Sequence, residues 1–140
     1  MTYPMSINMK EIETAKFVDK QLRTLGYQAK MIDEITVGST ASGLNFYIQS
    51  YGNSIQFRSA LVLDNKKTDN WLDFVNAFNK IARFVKFYAY DERIYIEADW
   101  WLDLDGEERV KCFQDGVEMW EILLSELKQK LREYFTITST

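Results

Sequence analysis

Apolar residues near the start of the chain recur at three- and four-residue intervals, which is the spacing of one helical face. Asn8 can cap such a helix, Glu11 can reach back to the cap, and Gly26 suits its left-handed end. We therefore predict a first helix from about Asn8 to Leu25. Its expected buried face consists of Ile12, Ala15, Val18, Leu22 and Leu25.

The next pattern has a period of two, which is typical of half-buried strands. A weak alternation predicts a short strand around Ala29 to Ile35, and a clear one predicts a hairpin that reverses at Gly52-Asn53. The residues of this hairpin expected to face the core are Leu44, Phe46, Ile48, Ile55, Phe57, Ser59, Leu61 and Leu63.

A small and polar segment, Gly38-Ser39-Thr40-Ala41-Ser42-Gly43, lies between these strands. A phosphate-binding loop would end in Gly-Lys-Ser/Thr and lead into a helix, and this segment does neither. We interpret it as a flexible connection between strands.

Helical spacing returns after Asp69 and predicts a second helix with a buried stripe of Trp71, Val75, Phe78 and Ala82. From Phe84 the period changes to two, which predicts a second hairpin that turns at Asp91-Glu92. Its inward residues are expected to be Val85, Phe87, Ala89, Ile94, Ile96, Ala98, Trp100 and Leu102. The stretch from Trp71 to Leu104 thus joins a helix face to a sheet face within one local unit.

A long apolar stripe predicts a final helix that begins near Glu107, after Asp105-Gly106. The stripe is wider than a coiled-coil seam, so we expect this helix to lie across a sheet. Together the patterns predict one α+β domain over residues 1–140: a five-stranded, mostly antiparallel sheet with helices packed on it, in the order α-β-β-β-α-β-β-α.

Composition changes this picture in one respect. The formal net charge is −4, and residues 91–126 hold twelve carboxylates against Arg93, Arg109 and Lys111. Phosphate neutralisation supplies most of the affinity of nucleic-acid binders, so we expect no nucleic-acid partner.

The apolar runs are too short to cross a bilayer, the first residues do not resemble a signal peptide, and Cys112 is the single cysteine. We expect a cytoplasmic protein without membrane insertion.

Candidate catalytic chemistry is sparse. The chain has no histidine, which excludes histidine-based triads and the usual zinc sites. Cys112 lies among acidic residues that should not lower its pKa, so we interpret it as a packing residue. Glu97 and Asp99 share one face of a predicted strand, and paired carboxylates can serve a small enzyme or a metal or small-molecule site. A solvated strand edge explains the same pair, and we expect no catalytic residue, cofactor or metal.

Aromatic side chains are the more informative group. Five of them fall on the strand face opposite the main apolar one: Tyr47, Tyr88, Tyr90, Tyr95 and Trp101. Strand propensity alone explains tyrosines at such positions. Helices on one side of the sheet only would leave these rings outward, as an amphipathic patch of the kind found at interfaces. Both interpretations remain open, and the five residues are our candidate partner-binding set.

The order of elements and a set of local matches resemble the YbjN-like family, described as candidate regulators of bacterial sensory transduction. The matching letters are Asn76-x-x-Asn79, Lys86-Phe87-Tyr88, Asp91, Ile94-x-Ile96-Glu97-x-Asp99 and an acidic-glycine turn before the last helix. That family is similar in fold to the small acidic chaperones of type III secretion. The resemblance implies a protein-binding or regulatory role, a homodimer and no enzyme activity.

Overall fold

A computed structural model describes residues 7–62, 85–90 and 93–134. These residues form α1 (Met9–Thr24), β1 (Lys30–Asp33), β2 (Thr36–Ala41), β3 (Leu44–Ser50), β4 (Ser54–Val62), β5 (Val85–Tyr90), β6 (Arg93–Trp101) and α2 (Gly106–Tyr134). The strands make one antiparallel sheet in the order β1-β2-β3-β4-β6-β5. The α+β class is therefore confirmed. The helix predicted from Asp69, with Trp71 and Ala82, lies outside the described residues.

The first helix forms where its end signals predict. The side chain of Asn8 accepts a hydrogen bond of 2.9 Å from the backbone N–H of Glu11, which satisfies one of the free donors at the helix start. Gly26 follows the helix with a φ of 93°. The N–H of Tyr27 donates to the carbonyl of Leu22, as in a glycine-terminated helix end.

The prediction of five strands is wrong, because the segment interpreted as a flexible connection is mostly strand. Residues 36–41 form β2, which pairs with β3 from Thr36 opposite Gln49 to Ala41 opposite Leu44. The turn is only Ser42 and Gly43, whose φ values of 54° and 76° suit a two-residue hairpin loop. The short strand expected up to Ile35 ends earlier, at Asp33. There the Asp33 carboxylate accepts a hydrogen bond from the N–H of Ile35 and forms a turn.

Small residues suit β2 because of what surrounds them. A Cβ atom on Gly38 would lie 3.1 Å from Cδ1 of Ile32, so a larger residue would displace that side chain. Ser39 is buried, and its hydroxyl donates a hydrogen bond of 2.8 Å to the carbonyl of Gln28. A polar side chain can occupy the inner face because this bond satisfies it. Val37, Ser39 and Ala41 do alternate along the sequence as the inward residues of a strand. Their side chains are too small to make the alternation conspicuous.

The inner face of the sheet is closed by α1 and α2. The ring of Trp120, on α2, stacks on Phe57 at 5.3 Å between centroids and meets Phe46 edge-on at 6.2 Å. Phe17 of α1 meets Phe113 of α2 edge-on at 5.8 Å. The final helix thus lies across the sheet, as the width of its apolar stripe predicts. In the described part of the chain, the fully buried aromatic and large aliphatic residues are Phe46, Phe57, Phe113, Trp120, Leu22, Ile48, Ile55, Ile94, Ile96, Leu102, Leu124 and Leu127.

Trp100 joins the second hairpin to α2. Its indole Nε1 donates a hydrogen bond of 2.9 Å to the carbonyl of Cys112. The ring lies so close to Gly116 that a Cβ atom on that glycine would be 2.7 Å from Nε1. Glycine inside a helix lowers helix stability by about 1 kcal/mol relative to alanine. Here the absence of a side chain on Gly116 makes room for the indole ring of Trp100. The Sγ of Cys112 lies 3.3 Å from the carbonyl oxygen of Trp101, which is consistent with a packing role.

A buried polar cluster connects α1, the β3–β4 turn and α2. The hydroxyl of Thr14 donates to the carbonyl of Gly52 at 2.7 Å, and Nη2 of Arg109 donates to that hydroxyl at 2.7 Å. The guanidinium of Arg109 also lies 4.5 Å from the centroid of the Phe17 ring. Ser50 donates to the carbonyl of Glu11 at 2.7 Å. Hydrophobic periodicity gives no sign of this cluster.

Trp100 and Trp101 allow a matched test of which face is inside. Trp100→Ala removes a ring packed against α2 and should destabilise the fold by about 3 kcal/mol. Trp101 is 62% exposed, so Trp101→Ala should change the free energy of unfolding by less than about 0.5 kcal/mol. Chemical denaturation of both variants measures the difference. A larger loss from Trp101→Ala would mean that the two faces are assigned the wrong way round.

Candidate functional site

The sheet surface that faces away from α1 and α2 is the candidate site, and we call it the outer face. Its side chains come from alternate positions of neighbouring strands, whose register sets them in rows. One row crosses the sheet through Gly38, Tyr47, Arg58, Glu97 and Lys86. The outer-face residues used below are Thr36, Tyr47, Gln49, Gln56, Arg58, Ala60, Lys86, Tyr88, Tyr95, Glu97, Asp99 and Trp101.

Four of the five candidate partner-binding residues have described side chains, and all four lie on the outer face. Tyr47 is 43% exposed, Tyr88 37% and Trp101 62%, whereas Tyr95 is half-buried. Tyr88 and Tyr95 stack at 5.1 Å between centroids with an interplanar angle of 16°. For the fifth, Tyr90, the structure gives only the backbone, at the end of β5.

A chain of polar contacts lies between these rings. The hydroxyl of Tyr88 donates a hydrogen bond of 2.6 Å to Oε1 of Glu97. Nη2 of Arg58 lies 3.6 Å from the same carboxylate oxygen, and Nη1 of Arg58 donates to Oε1 of Gln49 at 3.2 Å. These contacts link Tyr88, Glu97, Arg58 and Gln49 in one chain across β5, β6, β4 and β3.

This contact changes the acidity of the phenol. The hydrogen bond to Glu97 raises the pKa of Tyr88 above its ordinary value, because the bond favours the protonated form. Partial burial and the nearby negative charge of Glu97 act in the same direction. Tyr88 is thus a neutral hydrogen-bond donor at physiological pH. It is not poised to act as a base.

Glu97 and Asp99, the alternative acid pair, have different partners. Glu97 is held by Tyr88 and Arg58, whereas Oδ1 of Asp99 accepts a hydrogen bond of 3.1 Å from Nε2 of Gln56. Among residues 7–62, 85–90 and 93–134, no group of three or more acidic or cysteine side chains is arranged to hold a metal ion. The two carboxylates lie side by side on an open strand surface.

A shallow trough of about 430 Å³ crosses the outer face. It begins at Asp33 beside β2, passes Tyr47 and Arg58, and ends at Ala60, Tyr95 and Glu97. Its direction is diagonal, because the row of Thr36 and Gln49 continues to Gln56, whereas Ala60, which lies opposite Tyr95, is four residues further along β4. A smaller hollow of about 300 Å³ lies on the other side of Glu97, next to Lys86 and Asp99.

The sequence analysis missed Arg58 and Gln49. Both have the period of two that places them on the outer face, but their importance comes from neighbours in space. Arg58 lies opposite Glu97 because β4 pairs with β6, which are 31 positions apart at their nearest ends. Nothing local in the sequence indicates that pairing.

Comparison with solved structures gives one clear similarity. The fold is shared with YbjN of E. coli, a candidate transcription regulator, at a TM-score of 0.67 and 14% identity, over 84% of this chain and 90% of that one. A lower score of 0.47, at 16% identity, relates 78% of this chain to 95% of a chain in the ExoU-SpcU complex of type III secretion from Pseudomonas aeruginosa. The YbjN-like fold expected from the resemblance in sequence is confirmed.

No family model and no curated protein matches the sequence. Neither α1 nor the described length of α2 is long and apolar enough to cross a membrane. The placement of the side chains on the outer face is therefore the main guide to function.

Glu97→Gln tests the contact that organises the outer face. The amide can still accept a bond from Tyr88 but lacks the charge, so the pKa of Tyr88 should fall towards its ordinary value. A pH titration of tyrosine ring signals by NMR, assigned with Tyr88→Phe, measures the change. Asp115→Asn on the exposed side of α2 is the matched control and should leave Tyr88 unchanged. An unaltered titration in Glu97→Gln would contradict the contact.

Proposed function

We propose that this protein is a non-enzymatic protein-interaction module that acts as a regulator or in a chaperone-like way, and that the outer face is its binding surface. The observation that carries the proposal is the placement of the aromatic rings. Tyr47, Tyr88 and Trp101 are exposed on one side of a sheet whose other side is closed by helices. Interfaces are enriched in tyrosine, tryptophan and arginine, and the outer face presents all three.

The rigidity of these side chains favours binding. They stand on paired strands, so association needs to order little backbone. Tyr88 is already fixed by its stack on Tyr95 and its bond to Glu97. A tyrosine has few rotatable bonds, and one held in its bound orientation loses less entropy at an interface than a free one.

The fold supports a regulatory role in general terms. YbjN, which shares it, is described as a candidate transcription regulator. In this chain the formal net charge is −4, so we propose that regulation would operate through contact with another protein and not through direct binding of nucleic acid. We propose that the protein is cytoplasmic. Its single cysteine cannot form a disulfide within the chain, as is usual for proteins of that reducing compartment.

A homodimer is the expected resting form. Leaving aromatic rings of the sheet exposed to water is unfavourable in free energy. A second copy of the chain offers a surface of the same composition that can cover them. Trp101 and Tyr47 would be its anchors, because large aromatic side chains carry most of the binding energy at interfaces.

The first test of this proposal is the molar mass in solution. Light scattering on a sizing column should give a dimer at micromolar concentration. The double variant Tyr47→Ala with Trp101→Ala should give a monomer, since it removes both anchors. Met9→Ala with Ile122→Ala is the control, because these side chains are also exposed but lie on α1 and α2. A monomer mass for the unaltered protein over a wide range of dilution would remove the homodimer from the proposal.

Capture of a partner provides the second test. The tagged protein is incubated with an extract of the producing cell, and bound proteins are quantified by mass spectrometry. Trp101→Ala should reduce recovery of the specific partner about tenfold, as the loss of an interface anchor does. Ile122→Ala, at an exposed position of α2, should not reduce it. Equal recovery with Trp101→Ala, Tyr47→Ala and the control would show that the outer face is not the binding surface.

A further inference from the structure

The trough has the dimensions of a short stretch of extended polypeptide. It crosses β2, β3, β4 and β6, about 14 Å at about 4.8 Å between strands, and it shifts by four residues along them, about 13 Å, so its diagonal length is about 19 Å. An extended chain rises about 3.3 Å per residue, so about six residues would fill the trough. Its volume of about 430 Å³ is also within the range of sites that bind small ligands.

Small side chains leave part of the trough open, because Ala60 and Thr36 do not project far from the sheet. Arg58, Tyr47 and Tyr95 also line the trough, and Arg58 contacts Gln49 and Glu97 there.

Tyr95 presents one ring face to the trough. The other face is covered by Tyr88, which lies opposite it on β5. On β4 the residue opposite Tyr95 is Ala60, which is too small to cover the ring. The face of an aromatic ring carries negative potential and attracts cations.

The charges of the trough favour a cation as well. Asp33 and Glu97 contribute two negative charges, and Arg58 contributes one positive charge that is already paired with Glu97 at 3.6 Å. Asp33 is exposed, and no ion pair within the described ranges includes it or Asp99. An anion would have to compete with Glu97 and Gln49 for the guanidinium, whereas a cation meets carboxylates and ring faces directly.

We propose that the trough binds an extended segment of a partner protein that carries lysine or arginine side chains. One cationic side chain lies near Asp33 and the ring of Tyr47, and the rest of the segment crosses Arg58 towards Tyr95. The inference rests on the proposed function, because it specifies the chemistry of the partner at the outer face; the segment and a second copy of the chain would compete for Tyr47.

The experiment uses two labelled octapeptides, one of alternating lysine and serine and one of alternating glutamate and serine. Each is titrated into the full chain at low salt, and binding is followed by fluorescence anisotropy and by backbone amide shifts in NMR spectra. The lysine peptide should bind, and its largest shifts should fall at Thr36, Gln49, Arg58 and Ala60. Added salt should weaken the binding, because exposed charges are screened.

Matched variants locate the site. Asp33→Asn keeps the oxygen that accepts from Ile35 and loses only the charge, so the turn should persist. Asp33→Asn and Tyr47→Ala should each weaken the lysine peptide by about two- to fivefold, the usual worth of one exposed cation contact. Asp115→Asn and Ile122→Ala, both at exposed positions of α2, remove a charge and an exposed apolar side chain elsewhere, and should leave affinity unchanged.

Three outcomes would overturn the inference: no binding of the lysine peptide, equal or stronger binding of the glutamate peptide, or shifts confined to the acidic surface of α2. If one of them occurs while Trp101→Ala still loses the captured partner, the outer face remains the binding surface and only the cationic chemistry is wrong. If Trp101→Ala also has no effect, the proposed function fails with it.

Discussion

The stacking of Trp120 on Phe57, with Phe46 against its edge, determines which side of the sheet is closed. These three rings join α2 to the two central strands, β3 and β4, and all three are fully buried. A buried aromatic ring contributes several kcal/mol that the same ring would not contribute in water. Because side chains alternate along a strand, this contact also sends Tyr47 and Arg58 to the opposite side. The composition of the outer face is therefore a consequence of the core.

The outer face differs from an ordinary solvated sheet surface in its organisation. Its rings and charges are held in one network, in which Glu97 accepts from Tyr88 and pairs with Arg58. Such a surface resists rearrangement on binding and presents fixed donors, ring faces and a trough. Glu97 and Asp99 share this face but have separate partners, Tyr88 and Arg58 for the first and Gln56 for the second.

The sequence predicted the elements whose signals are local. Caps and glycines located the ends of α1, and the alternation of large residues located both hairpins and put Trp100 and Trp101 on opposite faces. It failed at β2, where small residues hid the alternation; Gly38 is small because Ile32 occupies the space next to it, which is a property of the folded hairpin. It also missed Arg58 and the Thr14–Arg109 contact, which depend on pairings between distant segments. Long-range register is a property of the packed fold, and a single sequence contains no separate signal for it.

Hydroxyl-radical footprinting of the free protein, read residue by residue by mass spectrometry, tests the sidedness of the sheet most directly. In dilute solution Tyr47, Tyr88 and Trp101 should be oxidised quickly and Trp120 should be protected. As the protein concentration rises, the oxidation rates of those three residues should fall, while that of Met9 on α1, which is 69% exposed, stays constant. Fast oxidation of Trp120, or rates for Tyr47, Tyr88 and Trp101 that are slow in dilute solution or independent of concentration, would contradict the account of an exposed outer face used for association.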